Sequence, residues 1–307
     1  MPPVKAFVTG ASGFVGRHLV AHLRACGDEV VPTDRSDGGP DLLDADGFAT
    51  LVAEVRPDVV YHLAGQADVA ASWLSPIETM RVNVEGTHNI LEVARTFGVA
   101  KVLTVSSADI YGVVAPEELP IVESAPLRPV SPYAASKAAA DLVALQAHLG
   151  HGQDVVRARA FNHLGPGQSK SFVGAGFAAR IVAAERSGDD ELQTGDLTPR
   201  RDFTDVRDVV RAYLMLLEHD TPPVLVNVAS GRSIPMSGVL EALRERARVD
   251  MQIETDPDRM RPLDTPDLSG DASLIASTCG WKPEIPLEDT WDRILAWVRD
   301  EPYGDAW

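Results

Sequence analysis

The chain reads as an α/β protein: a doubly wound parallel sheet carrying a smaller, interwoven second unit. Three observations predict this. Short apolar runs alternate with helical stretches through residue 160, the signature of βαβ units and a parallel sheet. A glycine-rich turn, Gly10-Ala11-Ser12-Gly13-Phe14-Val15-Gly16, follows the first apolar run. After Phe161 the order of elements becomes mixed. The division expected is a dinucleotide-binding unit over 1–160 with a return segment at about 204–230, and a substrate-binding unit over 161–203 and 231–307.

Residues 4–9 form a buried-strand run that stops at Gly10, and the helix that follows ends at Cys26 before Gly27, a common left-handed helix stop. Residues 29–33 predict a second strand, in which Pro32 is awkward because proline cannot donate to a ladder. Further strands are expected at 59–63, 101–106, 155–160 and 224–228. Helices are expected near 47–55, 77–97, 132–149, 172–186, 206–218, 236–247, 271–278 and 287–299.

Composition bounds the function. The 307 residues carry a formal charge of −17, and an acidic surface repels phosphate backbones, so no nucleic-acid partner is expected. Two cysteines, Cys26 and Cys279, make no disulfide framework or metal site, so no metal is expected and a reducing cytoplasm is. No signal peptide or membrane-spanning run is visible.

Gly10, Gly13 and Gly16 lie where a tight turn lets backbone approach a pyrophosphate at a helix N-terminus. Asp34 ends the second strand, about 20 residues past the glycines, where a carboxylate bonds adenosine ribose hydroxyls. That favours NAD(H). Arg35 follows and can instead accept a 2′-phosphate, which keeps NADP(H) open; a solvated turn is the plain alternative. Asp41-Leu42 and Leu63-Ala64-Gly65-Gln66 stand in the next loops, where they can line a cofactor.

Tyr133 and Lys137 are four residues apart on an expected helix, hence on one face. An ammonium near a phenol is expected to lower its pKa, so that it can pass a proton to or from oxygen. Ser107 ends the strand upstream, where its hydroxyl can bond a carbonyl as charge develops. His62 reads as a packed strand-end residue rather than a ligand.

Together with His62-Leu63-Ala64-Gly65, Asn83-Val84-Glu85-Gly86-Thr87, Ser107-Ala108-Asp109-Ile110-Tyr111-Gly112 and Ser131-Pro132-Tyr133-Ala134-Ala135-Ser136-Lys137, the glycine turn resembles the extended short-chain dehydrogenase/reductase family of nucleotide-sugar enzymes, of NAD-dependent epimerase/dehydratase type. The resemblance runs from end to end. It implies a Ser107, Tyr133, Lys137 triad and a cofactor site of Gly10, Ser12, Gly13, Phe14, Val15, Gly16, Asp34, Arg35, Asp41, Leu42, Leu63, Ala64, Gly65, Tyr133, Lys137, Phe161 and His163. A homodimer is implied as well.

The segments from Phe161 to Gln168, Ser171 to Val173, Arg201 to Asp208 and Asp256 to Pro262 resemble the GDP-4-keto-6-deoxy-D-mannose reductases and the GDP-mannose 4,6-dehydratases, the reductases more closely. On that likeness Ser107, Asn162, Phe172, Val173, Arg201, Arg261 and Asp264 face a GDP-sugar. Guanidinium forks at Arg201 and Arg261 suit a diphosphate, while a surface salt bridge is the plain alternative for Arg259 or Arg261. Asp109 stands where dehydratases of the family place the carboxylate that deprotonates sugar carbon 5. The expected activity is therefore reduction of a 4-keto sugar, with 4,6-dehydration or 4-epimerisation on tightly bound NAD(P) as the alternative. A cofactor-binding regulator or a scaffold would have no use for the Ser–Tyr–Lys set.

Overall fold

A computed structural model describes residues 3–188, 190–256 and 265–300. Strands β1 (Lys5–Thr9), β2 (Glu29–Thr33), β3 (Val59–His62), β4 (Lys101–Ser107) and β5 (Val155–Ala160) join a later strand, β9 (Leu225–Val228), in a six-stranded sheet of order β2-β1-β3-β4-β5-β9. Every pairing in it is parallel. The runs are largely apolar because both faces are covered. Helices α1 (Phe14–Cys26) and α8 (Val206–Glu218) cover one face with Leu19, Leu23, Val209 and Tyr213. On the other face α2 (Ala45–Val55), α5 (Gly86–Thr96) and α6 (Pro132–His151) pack Phe48, Ile90 and Ala144 against Phe7, Val60 and Val102. Pro32 is accommodated because β2 is an edge strand. Strand order reverses between β1 and β3, which opens a crevice at their carboxyl ends.

The expected single helix over 77–97 is instead broken. A short α3 (Val69–Leu74), absent from the sequence reading, is capped by Asp68, whose carboxylate accepts from the Ala71 amide at 3.0 Å. Next come α4 (Pro76–Met80), one wide π-type turn over Arg81–Glu85, and α5. Ser75 and Pro76 stand at the start of α4, where a proline lacking its N–H costs nothing.

The remaining elements form a second layer. Strands β10 (Ser233–Pro235), β8 (Arg200–Asp205) and β12 (Asp267–Leu268) line up, with β6 (Asn162–Leu164) also on β8, and β7 (Glu191–Thr194) pairs with β11 (Gln252–Thr255). Helices α7 (Val173–Ser187), α9 (Met236–Arg244) and α11 (Leu287–Asp300) enclose a core of Phe177, Ile181, Leu240, Trp291 and Leu295. Helix α10 (Ser273–Cys279) and Trp281 return to the first sheet, where Ile275 and Trp281 share the core of α1 and α8.

Three aspartates spaced three apart stitch these layers together. Asp202 is fully buried and accepts from the amides of Ser230, Gly231 and Gly270 at 2.8, 3.0 and 3.2 Å. Asp205 caps α8 and accepts the Thr290 hydroxyl at 2.7 Å. Asp208 accepts the Glu284 and Ile285 amides at 3.0 and 2.9 Å. Each carboxylate thus holds a later stretch of chain. Asp202→Ala would strand three backbone donors, each costing about 1–3 kcal/mol when buried and unpaired. The urea midpoint should fall by the equivalent of at least about 3 kcal/mol with an unchanged slope. A shift like that of an exposed control, Asp37→Ala, would show that these bonds do not hold the layers.

Candidate active site

Thr9 ends β1 and Gly10 turns the chain at φ +71, a conformation that favours glycine. A β-carbon there would sit 2.7 Å from the Ala64 amide nitrogen, so the glycine turn and the loop after β3 touch. Gly13 is the N-cap of α1, and no side chain caps the helix. Its first-turn amides are thereby left to an anion, which the helix dipole also favours. The turn therefore fits a dinucleotide pyrophosphate.

Around it the expected cofactor residues divide. Ser12 donates its hydroxyl to Asp37. Phe14 stacks on His163, centroids 5.9 Å apart and 11° from parallel, and Val15 packs against the first core. His163 donates Nδ1–H to the Phe161 carbonyl at 3.0 Å, and burial pushes its pKa down, so the ring is neutral. Phe14, Phe161 and His163 thus fasten β6 to the start of α1. The Asp34 carboxylate accepts the Ser36 amide and hydroxyl at 3.0 and 2.9 Å, closing its own turn. Arg35 pairs with Asp41 at 3.0 Å. The Leu43 amide and Arg35 hold the Asp41 carboxyl below the usual carboxylate range. Leu42 buries its side chain in the core beside Ile90. Ala64 and Gly65 reach the crevice from β3, and Leu63 packs back against the first core.

The side chains expected to be reactive meet where β4 ends. Ser107 caps the short turn Ala108–Tyr111, and its Oγ accepts the Asp109 amide at 3.2 Å. Ser131 caps α6 through the Ala134 amide at 3.1 Å, with Pro132 in the first turn. The Tyr133 amide donates to Ser72 on α3 at 3.1 Å, so the unforeseen helix helps seat the tyrosine. The Ser107 side chain stands beside the Tyr133 phenol and favours its ionised form.

The expectation that Lys137 lowers the Tyr133 pKa is corrected. Burial and the Asp109 carboxylate push the phenol up, and the Ser107 side chain offsets only part of this. Lys137 instead donates to the Val105 carbonyl. Burial lowers the lysine to about 8 against the opposing pull of Asp141. Beneath the pair lies a charge cluster the sequence reading missed. Asp141 binds Arg157 at 2.7 Å and Arg159 at 2.9 Å, and Arg159 reaches the Tyr111 hydroxyl at 3.0 Å. Two arginines alternating on one strand share a face, and that spacing was the available signal.

Of the residues expected to face a substrate, Asn162 opens β6 and Phe172 caps the start of α7 with Val173 next in line. Arg201 donates to the Arg200 and Thr265 carbonyls at 2.8 and 2.6 Å. Arg259, Arg261 and Asp264 lie outside the described residues. His62 is buried between the Thr9 and Thr87 hydroxyls at 2.8 and 3.1 Å. Among the described residues no cluster of His, Cys, Asp or Glu could hold a metal ion.

The model of the NAD dependent epimerase/dehydratase family matches residues 6–229. The chain belongs to this family. It is 40% identical to the GDP-6-deoxy-D-mannose reductase of Pseudomonas aeruginosa, over 97% of this chain and 99% of that one. It is 27% identical to a GDP-mannose 4,6-dehydratase of Yersinia enterocolitica, over 95% and 93%. Among solved structures, that of RMD from Pseudomonas aeruginosa complexed with NADPH superposes with a TM-score of 0.88 at 38% identity, covering 96% of this chain and 99% of that one. Family members are NAD-dependent enzymes, and a nicotinamide dinucleotide suits the uncapped helix and glycine turn described above.

The lysine carries a pH signature. Its folded pKa of about 8 means that the ammonium is lost as pH rises through that value, while the raised Tyr133 stays protonated. Turnover that needs the ammonium should therefore decline above about pH 8. In Lys137→Arg the side chain stays charged, and the decline should vanish from the range below pH 10, on a lower baseline. A pH profile of kcat/KM identical in the two proteins would show that Lys137 does not govern it.

Proposed function

We propose that the chain is a nucleotide-sugar oxidoreductase that reduces the 4-keto group of GDP-4-keto-6-deoxy-D-mannose with NAD(P)H. One observation carries this reading: Ser107 and the Tyr133 phenol stand side by side where β4 ends, so both can reach one carbonyl oxygen. The 40% identity to a GDP-6-deoxy-D-mannose reductase across nearly the whole chain supports the substrate.

In this reading residues 1–160 and 204–230 form the dinucleotide unit, and 161–203 with 231–307 form the substrate unit. The amides of α1, with Gly10, Ser12, Gly13 and Gly16, take the pyrophosphate. Asp34 or Arg35 turns toward the adenosine ribose and decides between NAD(H) and NADP(H). Asn162, Phe172, Val173 and Arg201 face the GDP-sugar; Arg261 and Asp264 lie outside the described residues. The nicotinamide, when bound, supplies hydride to carbon 4. Ser107 donates a hydrogen bond to the carbonyl oxygen as charge gathers there, and Tyr133 gives that oxygen its proton. Lys137, one turn along α6, would hold the nicotinamide ribose when the cofactor is bound.

The second reading, 4,6-dehydration, is favoured by one feature: the Asp109 carboxylate acts on Tyr133 and stands where a base for carbon 5 would. A side-by-side assay separates the two. With GDP-4-keto-6-deoxy-D-mannose the wild type should consume NADH or NADPH. Tyr133→Phe should slow it by at least about 10²-fold while cofactor binding survives, and Asp109→Asn should cost little. Conversion of GDP-mannose without net cofactor use, abolished by Asp109→Asn, would overturn the reductase reading.

We also propose that the chain works as a cytoplasmic homodimer. Cys26 and Cys279 are free thiols, and no helix among the described residues is long and apolar enough to cross a membrane. Trp73, Leu74 and Ile77 on α3 and α4, with Leu142 on neighbouring α6, are 53–86% exposed. Large apolar side chains exposed on neighbouring helices suit an association face. Light scattering should give twice the 33.0 kDa chain mass. Ile77→Asp with Leu142→Asp should halve it, and a wild type of single-chain mass would refute the pairing.

A further inference from the structure

Arg159 lies on β5 with Ser106 of β4 as its neighbour in register, one residue before Ser107, and is 4% exposed. Its guanidinium faces two pieces of the site at once. On one side Nε and Nη2 donate to the two oxygens of Asp141 at 3.2 and 2.9 Å, a fork that a lysine cannot reproduce. Asp141 stands on α6 one turn after Lys137. On the other side Nη1 donates to the Tyr111 hydroxyl and to the Glu123 carbonyl, both at 3.0 Å. Tyr111 ends the short turn that Ser107 caps and that carries Asp109. One guanidinium thus holds the helix of Tyr133 and Lys137 and the turn of Ser107 and Asp109.

The Tyr111 hydroxyl is the junction. An arginine can only donate, so the phenol oxygen accepts from Arg159 and its own proton passes to Asn227 Oδ1 at 2.7 Å. The Asn227 amide is fixed in that sense, because its Nδ2 donates to the Ile121 carbonyl at 2.9 Å. The Asn227 backbone N–H donates to the Glu123 carboxylate at 2.9 Å. Burial pushes the Tyr111 phenol up, so the proton stays on it and the direction of these bonds persists. The ring stacks on Phe161, centroids 6.3 Å apart, and Ala108, Ile110 and Tyr111 share an apolar cluster with Ala138 of α6. Apolar packing has no direction, and the bonds through Tyr111 supply it. Gly112, next in the chain, turns at φ +63, and a β-carbon there would collide with the Arg128 carbonyl oxygen, so the turn is closed at its other end as well.

Resting on the reductase reading, we propose that Arg159 is a positioning residue for the reaction: through Asp141 on α6 and the Tyr111 hydroxyl on the turn, it fixes Ser107 and Asp109 against Tyr133. Arg159 and Tyr111 touch no reacting atom. Ser107 and Tyr133 must reach one carbonyl oxygen, yet one comes from a strand end and the other from a helix, and reaction rates are sensitive to displacements of about 1 Å. The same hold fixes Asp109, whose carboxylate acts on the Tyr133 phenol. Arg157 also binds Asp141, but its Nε donates to the Val224 carbonyl at 3.3 Å, away from the turn. The two arginines therefore differ in what they hold.

The full-length protein tests this through Tyr111→Phe, Arg159→Lys, their double variant and Arg157→Met. Turnover of the 4-keto sugar nucleotide, the Kd for NADPH by fluorescence titration and amide hydrogen exchange are measured at neutral pH. Tyr111→Phe keeps the ring and its stack and removes only the hydroxyl. Its kcat should fall about tenfold to a hundredfold, with sugar KM and cofactor Kd unchanged. The Asp109 and Gly112 amides, both bonded within the turn, should exchange at least about tenfold faster. Arg159→Lys keeps the charge and loses the fork, so it should give the same split; should it not fold, Tyr111→Phe carries the test. The double variant should match the single ones, because contacts in one path do not add. Arg157→Met takes one cation from Asp141, which strengthens that carboxylate's pull on the Lys137 ammonium, and leaves Tyr111 held. It should keep full kcat and unchanged exchange in the turn. Full kcat in Tyr111→Phe, an equal kcat loss in Arg157→Met, additive losses in the double variant, or unchanged exchange over 108–112 in Tyr111→Phe would each overturn the proposal. A wild type without 4-keto-sugar turnover would refute the reductase reading alone. The exchange comparison between Tyr111→Phe and Arg157→Met then decides the positioning role by itself, equal values overturning it.

Discussion

A β-carbon on Gly16 would stand 2.1 Å from the Gly10 carbonyl oxygen, and one on Gly10 would stand 2.7 Å from the Ala64 amide nitrogen. These two approaches leave no room for any side chain, and much of the molecule depends on them. They bring the N-terminus of α1 against the end of β1 and set the loop after β3 beside it. The carboxyl ends of the central strands then share one crevice at the switch in strand order. The stacked pair Phe14 and His163 carries the same contact across to β6, so the second layer is referenced to the glycine turn.

The second layer has no independent stretch of chain. It is threaded through the first, and buried carboxylates make the crossings. A buried carboxylate is costly unless its oxygens are filled. Asp202, Asp205 and Asp208 meet that condition with amides and hydroxyls from segments up to about 85 residues away. Such bonds are directional, which apolar packing is not. They define where each returning segment lies, while Trp281, Ile275 and Tyr213 supply the burial that holds it there.

Charge within the crevice is graded. Arg157 and Arg159 neutralise Asp141 deep in the fold, and Lys137 lies one turn before that aspartate on α6. Burial weakens the lysine's hold on its proton and strengthens the tyrosine's. Both follow from one cause, the cost of charge in a medium of low dielectric. The overall charge of −17 has no part in this balance, because surface carboxylates are screened by solvent.

The linear order of residues was enough for the parallel sheet, its strand positions, the glycine turn, and the placing of Ser107, Tyr133 and Lys137 on a strand end and a helix face. Those features depend on periodicity and local backbone chemistry, which neighbouring residues carry. The start of α4 at Pro76 lies one residue from the helix expected at 77, whereas the wide turn over Arg81–Glu85 was masked, since α4, that turn and α5 keep one buried stripe. Only the tertiary structure decided what the polar side chains bond. Asp34 turns onto Ser36, Arg35 onto Asp41 and Lys137 onto the Val105 carbonyl. Asn83, legible only as part of a motif, joins a loop and a helix that lie 17 and 53 residues from it in the chain. A hydrogen bond or a pKa depends on which groups from distant segments come within about 3 Å and on how much water they exclude, and sequence spacing carries neither.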